Sequence, residues 1–201
     1  MKKKINDEEK LINFKKSLRS NIAIYEGEAG YGKTFTAKSE IFNSYNKENE
    51  YIYVFDRENE YNHLKLENSD KVTIFNGGNF NTDTGYFFNM LDNIYEKSKK
   101  RICGTKTIVY IDEFHLYCSD KENQLKFLEY ANNYKNVGIS FVLLVQGLNF
   151  MDELIKNIYI LYSNEHYEIN RDYNSKGEAY WLTRAGANKV QEIEGAKASV
   201  I

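Results

Sequence analysis

Residues 21–46 read NIAIYEGEAGYGKTFTAKSEIFNSYN, and the reading of this stretch decides the fold. It opens on an apolar run, Asn21 to Glu26, of the kind that forms a buried strand. It continues as KTFTAKSEIFNSYN, in which Ala37, Ile41 and Tyr45 recur at helical intervals. Between the two lie Gly27, Gly30 and Gly32, followed at once by Lys33 and Thr34. Glycine loses more backbone freedom on folding than any other residue, so a chain clusters it where left-handed dihedrals or a very close approach are required.

Gly27, Gly32, Lys33 and Thr34 match G-x-x-x-x-G-K-[ST] residue for residue, and the match lies in the strand-to-helix context that the pattern needs. The segment Gly27, Glu28, Ala29, Gly30, Tyr31, Gly32, Lys33, Thr34 and Phe35 is therefore predicted to bind ATP. Its backbone N–H groups curl around the phosphates and the helix N-terminus adds positive potential. Lys33 neutralises the β and γ oxygens, and Thr34 offers its hydroxyl to Mg²⁺.

Such a site needs a second element, because the magnesium must also be held from the opposite side of the phosphates. IVYIDE, Ile108 to Glu113, supplies an apolar strand tipped by acid. Asp112 is expected as the metal-side carboxylate and Glu113 as the base that orients or polarises the attacking water. Gln146 ends the very apolar run GISFVLLVQ, where a polar side chain would sit beside the γ-phosphate as a sensor.

Working outward, YIYVFD (Tyr51 to Asp56) and KVTIFN (Lys71 to Asn76) read as further strands. TDTGYFFNMLDNIYEKSKK reads as a helix with Thr82 or Thr84 as its cap and lysines at its negative end. KENQLKFLEYANNYKN is amphipathic on Leu125, Leu128 and Ala131. Strands this continuously apolar are covered on both faces, so the alternation predicts an α/β fold with a mainly parallel central sheet flanked by helices. Strand-like pieces at Ile158 to Tyr162, His166 to Asn170 and Ala179 to Thr183 predict a short β-containing tail, with NRDYNSKG as a hairpin turn. A chain of 201 residues with no linker or repeat is expected to be one domain, residues 1–201, its core at about 21–157.

A net charge of −2 provides no global basic field, so any nucleic-acid contact must come from a local patch or a ring of subunits. The one basic cluster, Lys97, Lys99, Lys100 and Arg101, either faces a phosphate backbone or simply ends a helix. Cys103 and Cys118 have no CxxC partner, and His63, His115 and His166 are scattered, which argues against a zinc site or a disulfide framework. The longest apolar run, Ile139 to Val145, is far short of the ~20 residues of a membrane helix, so no membrane segment is expected.

GEAGYGKT, YVFDRENEY, IVYIDEFHLY and GISFVLLVQGLNF occur in the order and spacing of the HerA/FtsK branch of P-loop ATPases, which the chain resembles over about residues 21–157. Members of that branch pump DNA or drive its transfer. The resemblance implies an ASCE, RecA-like fold with a strand inserted between those carrying the two nucleotide motifs. It also implies a homo-oligomeric ring with ATP and Mg²⁺ at subunit boundaries. Conjugative ATPases generally carry a large extra N-terminal domain and filamentous-phage assembly ATPases a membrane segment. Without either, the chain looks most like the compact viral genome-packaging ATPases.

The chain departs from the branch in FLEYANNYKNVG, where many members carry basic residues; an arginine finger is instead sought in Arg171 or Arg184. The expected function is an ATP-hydrolysing motor that moves double-stranded DNA, packaging it into a viral capsid at the portal vertex, in the host cytoplasm or on the virion. The alternatives are a conjugative or type IV secretion-type transfer ATPase acting with conjugation machinery, and a non-hydrolysing ATP-binding assembly regulator. Glu113 argues against the last. No arginine-rich lid suggests a nucleoside kinase, and no Asn-Lys-x-Asp motif a GTPase.

Overall fold

A computed structural model describes residues 21–44, 47–64, 70–76, 84–151, 153, 155, 156, 159, 165–170, 180–183 and 191–192. The elements are β1 (Ile22–Glu26), α1 (Lys33–Ser44), β2 (Glu50–Asp56), β3 (Val72–Asn76), α2 (Thr84–Lys99), β4 (Lys106–Ile111), α3 (Lys121–Tyr134), β5 (Ile139–Val145), β6 (Glu165–Asn170), β7 (Tyr180–Thr183) and β8 (Gln191–Glu192). They build one sheet in the order β3-β2-β4-β5-β1-β6-β7-β8. Every pairing from β3 to β6 is parallel, and β6-β7 and β7-β8 are antiparallel. β5 lies between acid-tipped β4 and β1, which leads into the glycine loop, so the inserted strand is present.

Side chains alternate across a strand, and here both alternating sets are apolar. Ile22, Ile24, Tyr53, Phe55, Val109, Ile111, Phe141 and Leu143 point to one face, where α2 and α3 cover them with Phe87, Leu91, Ile94, Phe127, Leu128 and Ala131. Tyr25, Ile52, Val54, Tyr110, Val142 and Leu144 point to the other, beneath Ala37 and Ile41 of α1 and beneath Tyr61 and Leu64. This double burial is why the strands read as unbroken apolar runs, and it makes a three-layer α/β sandwich.

The helix ends follow their local chemistry. Asp120 caps α3, its carboxylate accepting from Asn123 N at 2.9 Å. Lys97 and Lys99 fall in the last turn of α2. At the carboxyl end of β2, the buried Asp56 accepts from Glu60 N (2.9 Å) and Tyr61 N (3.0 Å), folding DRENEY into a tight turn.

Of the basic cluster, Lys97, Lys99 and Lys100 are exposed, whereas Arg101 is committed to the fold: its guanidinium lies 3.5 Å from the Tyr51 ring centroid and donates to Tyr53 Oη and Thr107 Oγ1, each at 2.8 Å. Lys99 pairs with Glu96 one turn earlier and reaches over Tyr95, remaining at the surface. The strand expected over Ile158 to Tyr162 is not formed at Tyr159, which is helical. Its ring packs against Phe114 and Phe127, and its hydroxyl donates to Gln124 O at 2.9 Å. The rest of that run, Tyr45, Thr82, Arg171, Arg184 and the NRDYNSKG turn after Asn170 lie outside the described residues. β6 and β7 nevertheless pair antiparallel with Asn170 opposite Tyr180, the register a hairpin requires.

Candidate nucleotide site

Parallel pairing brings the carboxyl ends of neighbouring strands to one edge. Glu26 is registered with Val145, Ile111 with Leu143 and Phe55 with Ile111, so Gly27, Asp112, Gln146 and Asp56 emerge together. This is the edge at which open α/β sheets bind ligands.

The loop after β1 is anchored at its start by Gly27 N, which donates to Val145 O at 3.1 Å. Gly30 (φ 81°) and Gly32 (φ 101°) are left-handed, yet a Cβ at either would meet nothing within 4 Å. Backbone conformation, rather than packing, therefore accounts for these glycines. Ala29 and Glu28 are exposed, and the Glu28 carboxylate bonds the Tyr31 hydroxyl and raises its pKa.

Lys33 is buried, with Nζ donating to Gly27 O (2.7 Å) and Glu28 O (3.2 Å) inside the curl of the loop. Burial lowers its pKa, opposed by the negative charges of Glu113, Asp112 and Glu60. One residue on, Thr34 Oγ1 lies 3.2 Å from Asp112 Oδ2 and donates to it, joining two motifs 78 residues apart. Phe35 follows on the first turn of α1 and is 58% exposed.

Asp112 is only 7% exposed. Its Oδ1 accepts from Glu113 N at 2.9 Å. Burial raises its pKa to about 6, with Glu113 and Glu60 adding to the rise and the nearby Tyr61 and Thr34 hydroxyls opposing it. An oxygen pair from Thr34 and Asp112 is the donor set that Mg²⁺ takes from a protein when phosphates and water complete its shell, so the residues fit that cation.

Glu113 adopts φ 51°, ψ 50°, an uncommon backbone for a residue with a Cβ. Its Oε1 accepts from Gln146 Nε2 at 3.1 Å. Gln146, expected as a phosphate sensor, is thus placed against the Glu113 carboxylate, at the exposed end of β5.

Three residues were not assigned from the sequence. Tyr61 is fully buried, its hydroxyl beside Asp112, and the Lys38 ammonium lies 5.3 Å from its ring centroid. Glu60, in the same turn, adds negative charge near Lys33 and Asp112. Glu26 Oε1 accepts from Leu148 N at 3.3 Å, fixing the loop after Gln146. The Glu-Tyr pair was visible in the sequence, but only the Asp56 turn brings it to this edge.

No protein-family model matches the chain, and no curated protein matches it in sequence. Solved structures do share its fold. The DNA-packaging ATPase B204 from Sulfolobus Turreted Icosahedral Virus superposes with a TM-score of 0.59 at 13% identity, over 77% of this chain and 78% of that one. The genome-packaging NTPase B204 from Sulfolobus turreted icosahedral virus 2, in complex with AMP, gives 0.58 at 16% identity over 77% and 78%. EccC from Thermomonospora curvata (ATPases 2 and 3), solved with a signal sequence peptide, gives 0.52 at 12% identity, over 82% of this chain and 35% of that one. The chain therefore has the fold of P-loop ATPases, with viral genome-packaging ATPases and EccC among its structural neighbours.

Proposed function

We propose that this chain is an ATP-hydrolysing motor that moves double-stranded DNA, with packaging of a viral genome as its role. The observation that carries the ATPase reading is the 3.2 Å contact of Thr34 with Asp112 beside a Lys33 folded into the glycine loop. It brings a phosphate-binding helix start and an acid-tipped strand to one point, with Glu113 the next residue. The likeness to the packaging ATPases supports the choice of DNA as cargo.

In this reading Lys33 exchanges the carbonyls of Gly27 and Glu28 for phosphate oxygens, and the loop N–H groups bind the rest of the phosphate chain. Thr34 and Asp112 would hold Mg²⁺, which would supply positive charge to the phosphates. Glu113 accepts a proton from, or orients, the attacking water, and Gln146 relates that carboxylate to the γ-phosphate. A subunit ring with the nucleotide at the boundary lets a neighbour complete the transition-state charge, so specific activity should rise with protein concentration.

The experiment is a comparison of two variants. Lys33→Ala should lose ATP binding, whereas Glu113→Gln should bind ATP and not turn it over. A wild-type hydrolysis rate in Glu113→Gln would remove the catalytic assignment. Duplex DNA should stimulate the wild-type rate with a steep salt dependence, log K falling by roughly 0.9 per neutralised phosphate for each tenfold in salt. The likeness to EccC, solved with a signal sequence peptide, supports a second reading in which the cargo is a protein; stimulation by a peptide and none by DNA would favour it.

A further inference from the structure

We infer that His115 is a positioning residue for Glu113, holding one oxygen of its carboxylate while Gln146 holds the other. The inference rests on the reading of Glu113 as the base of an ATPase. Gln146 Nε2 donates to Oε1 at 3.1 Å. Oε2 is buried and has no hydrogen-bond partner among the described residues, and His115 Nδ1 stands 3.2 Å from it. A buried carboxylate oxygen without a donor is costly. A small rotation of the imidazole, with its hydrogen on Nδ1, removes that cost.

The backbone explains the closeness. The left-handed conformation at Glu113 turns the chain sharply out of β4 into the short 3₁₀ turn Phe114–Leu116. Phe114 is fully buried among Phe127, Phe150 and Tyr159, so the turn is pinned from beneath. Phe150 also lies against the His115 ring, with centroids 5.7 Å apart, and supports the ring from the loop that follows Gln146.

A carboxylate gripped on both oxygens cannot rotate about its last bond, so its remaining lone pairs keep a fixed direction. A base gains from such preorganisation because it need not be reoriented during the reaction. Gln146 and Phe150 both follow β5, so a shift of that strand end would reach Glu113 from both sides.

The test uses the full chain. His115→Ala should lower kcat about tenfold to a hundredfold with KM changed less than about twofold, the range seen when a partner that orients a reactive group is lost. His115→Asn, which keeps a neutral N–H donor at the position of Nδ1, should recover most of that loss. Long-range ¹H–¹⁵N correlation on the wild-type protein should show the His115 ring carrying its hydrogen on Nδ1, the signal being assigned among the three histidines by its disappearance in His115→Asn. A wild-type kcat in His115→Ala, equal losses in the two variants, or an Nε2–H ring with bare Nδ1 would overturn the inference. A Glu113→Gln protein that still hydrolyses ATP at the wild-type rate would instead overturn the ATPase reading beneath it.

Discussion

Asp112→Asn should stabilise the protein while abolishing Mg²⁺-dependent hydrolysis. Asp112 Oδ1 accepts from Glu113 N and Oδ2 accepts from Thr34 Oγ1. An asparagine can keep both contacts, its carbonyl taking the N–H and its amide donating to the threonine hydroxyl, which also has lone pairs to offer. What changes is the charge. Burial, with help from Glu113 and Glu60, raises the Asp112 pKa from 3.8 to about 6. At about 1.4 kcal/mol per tenfold in proton affinity, the ionised form in the folded protein costs on the order of 3 kcal/mol.

The folded pKa is raised, so the folded chain keeps a proton that the unfolded chain releases between about pH 4 and pH 6. Stability from this group is therefore present below about pH 4 and is lost as pH rises through about 6. Losing the attraction between Asp112 and Lys33 trims the gain from the substitution to about 1–3 kcal/mol. Each kcal/mol moves the melting temperature of a domain this size by about 2–4 °C. Thermal melts in EDTA should place the variant above wild type at about pH 7.5, and the gap should close toward about pH 4. A variant that melts below wild type at neutral pH, or a gap indifferent to pH, would refute the electrostatic account of this carboxylate.

Arg101→Ala should cost about 2–4 kcal/mol, from two hydrogen bonds of a charged donor and one ring contact, and should leave the salt dependence of DNA stimulation unchanged; wild-type melting with loss of stimulation would assign the arginine to nucleic acid. Arg101→Lys should recover under half of that loss, because an ammonium cannot stack and fork at once. Asp56→Ala strips the acceptor from Glu60 N and Tyr61 N and should cost about 2–4 kcal/mol in urea unfolding, with a weaker response of hydrolysis to Mg²⁺ as Tyr61 and Glu60 lose their place beside Asp112. A change in unfolding free energy below about 0.5 kcal/mol would mean that the turn stands without its carboxylate.

The amino-acid sequence by itself determined what depends on neighbours along the chain. The contacts of Lys33 with Gly27 and Glu28 span six and five residues, and the left-handed glycines serve the loop that contains them, so the shape of the glycine loop was legible without any tertiary information. The parallel sheet was legible too, because a strand buried on both faces must be apolar at every position, and that pattern does not depend on strand order. Partners chosen across the sheet were not legible. Gln146 and Glu113 are 33 residues apart, and it is the β4-β5 pairing that brings the amide of one against the carboxylate of the other. Arg101 has the same charge whether it faces DNA or the tyrosines of β2, and only the end of α2, lying over Tyr51 and Tyr53, turns it inward. The apolar run around Tyr159 suits a strand or a helix equally by composition, and the space beside Phe114 and Phe127 decides for the helix at Tyr159. Glu60 and Tyr61 lie only four and five residues beyond Asp56, so the turn that ties them to its carboxylate is local; that this turn stands beside Asp112 is decided by the pairing of β2 with β4, which no run of neighbours along the chain records.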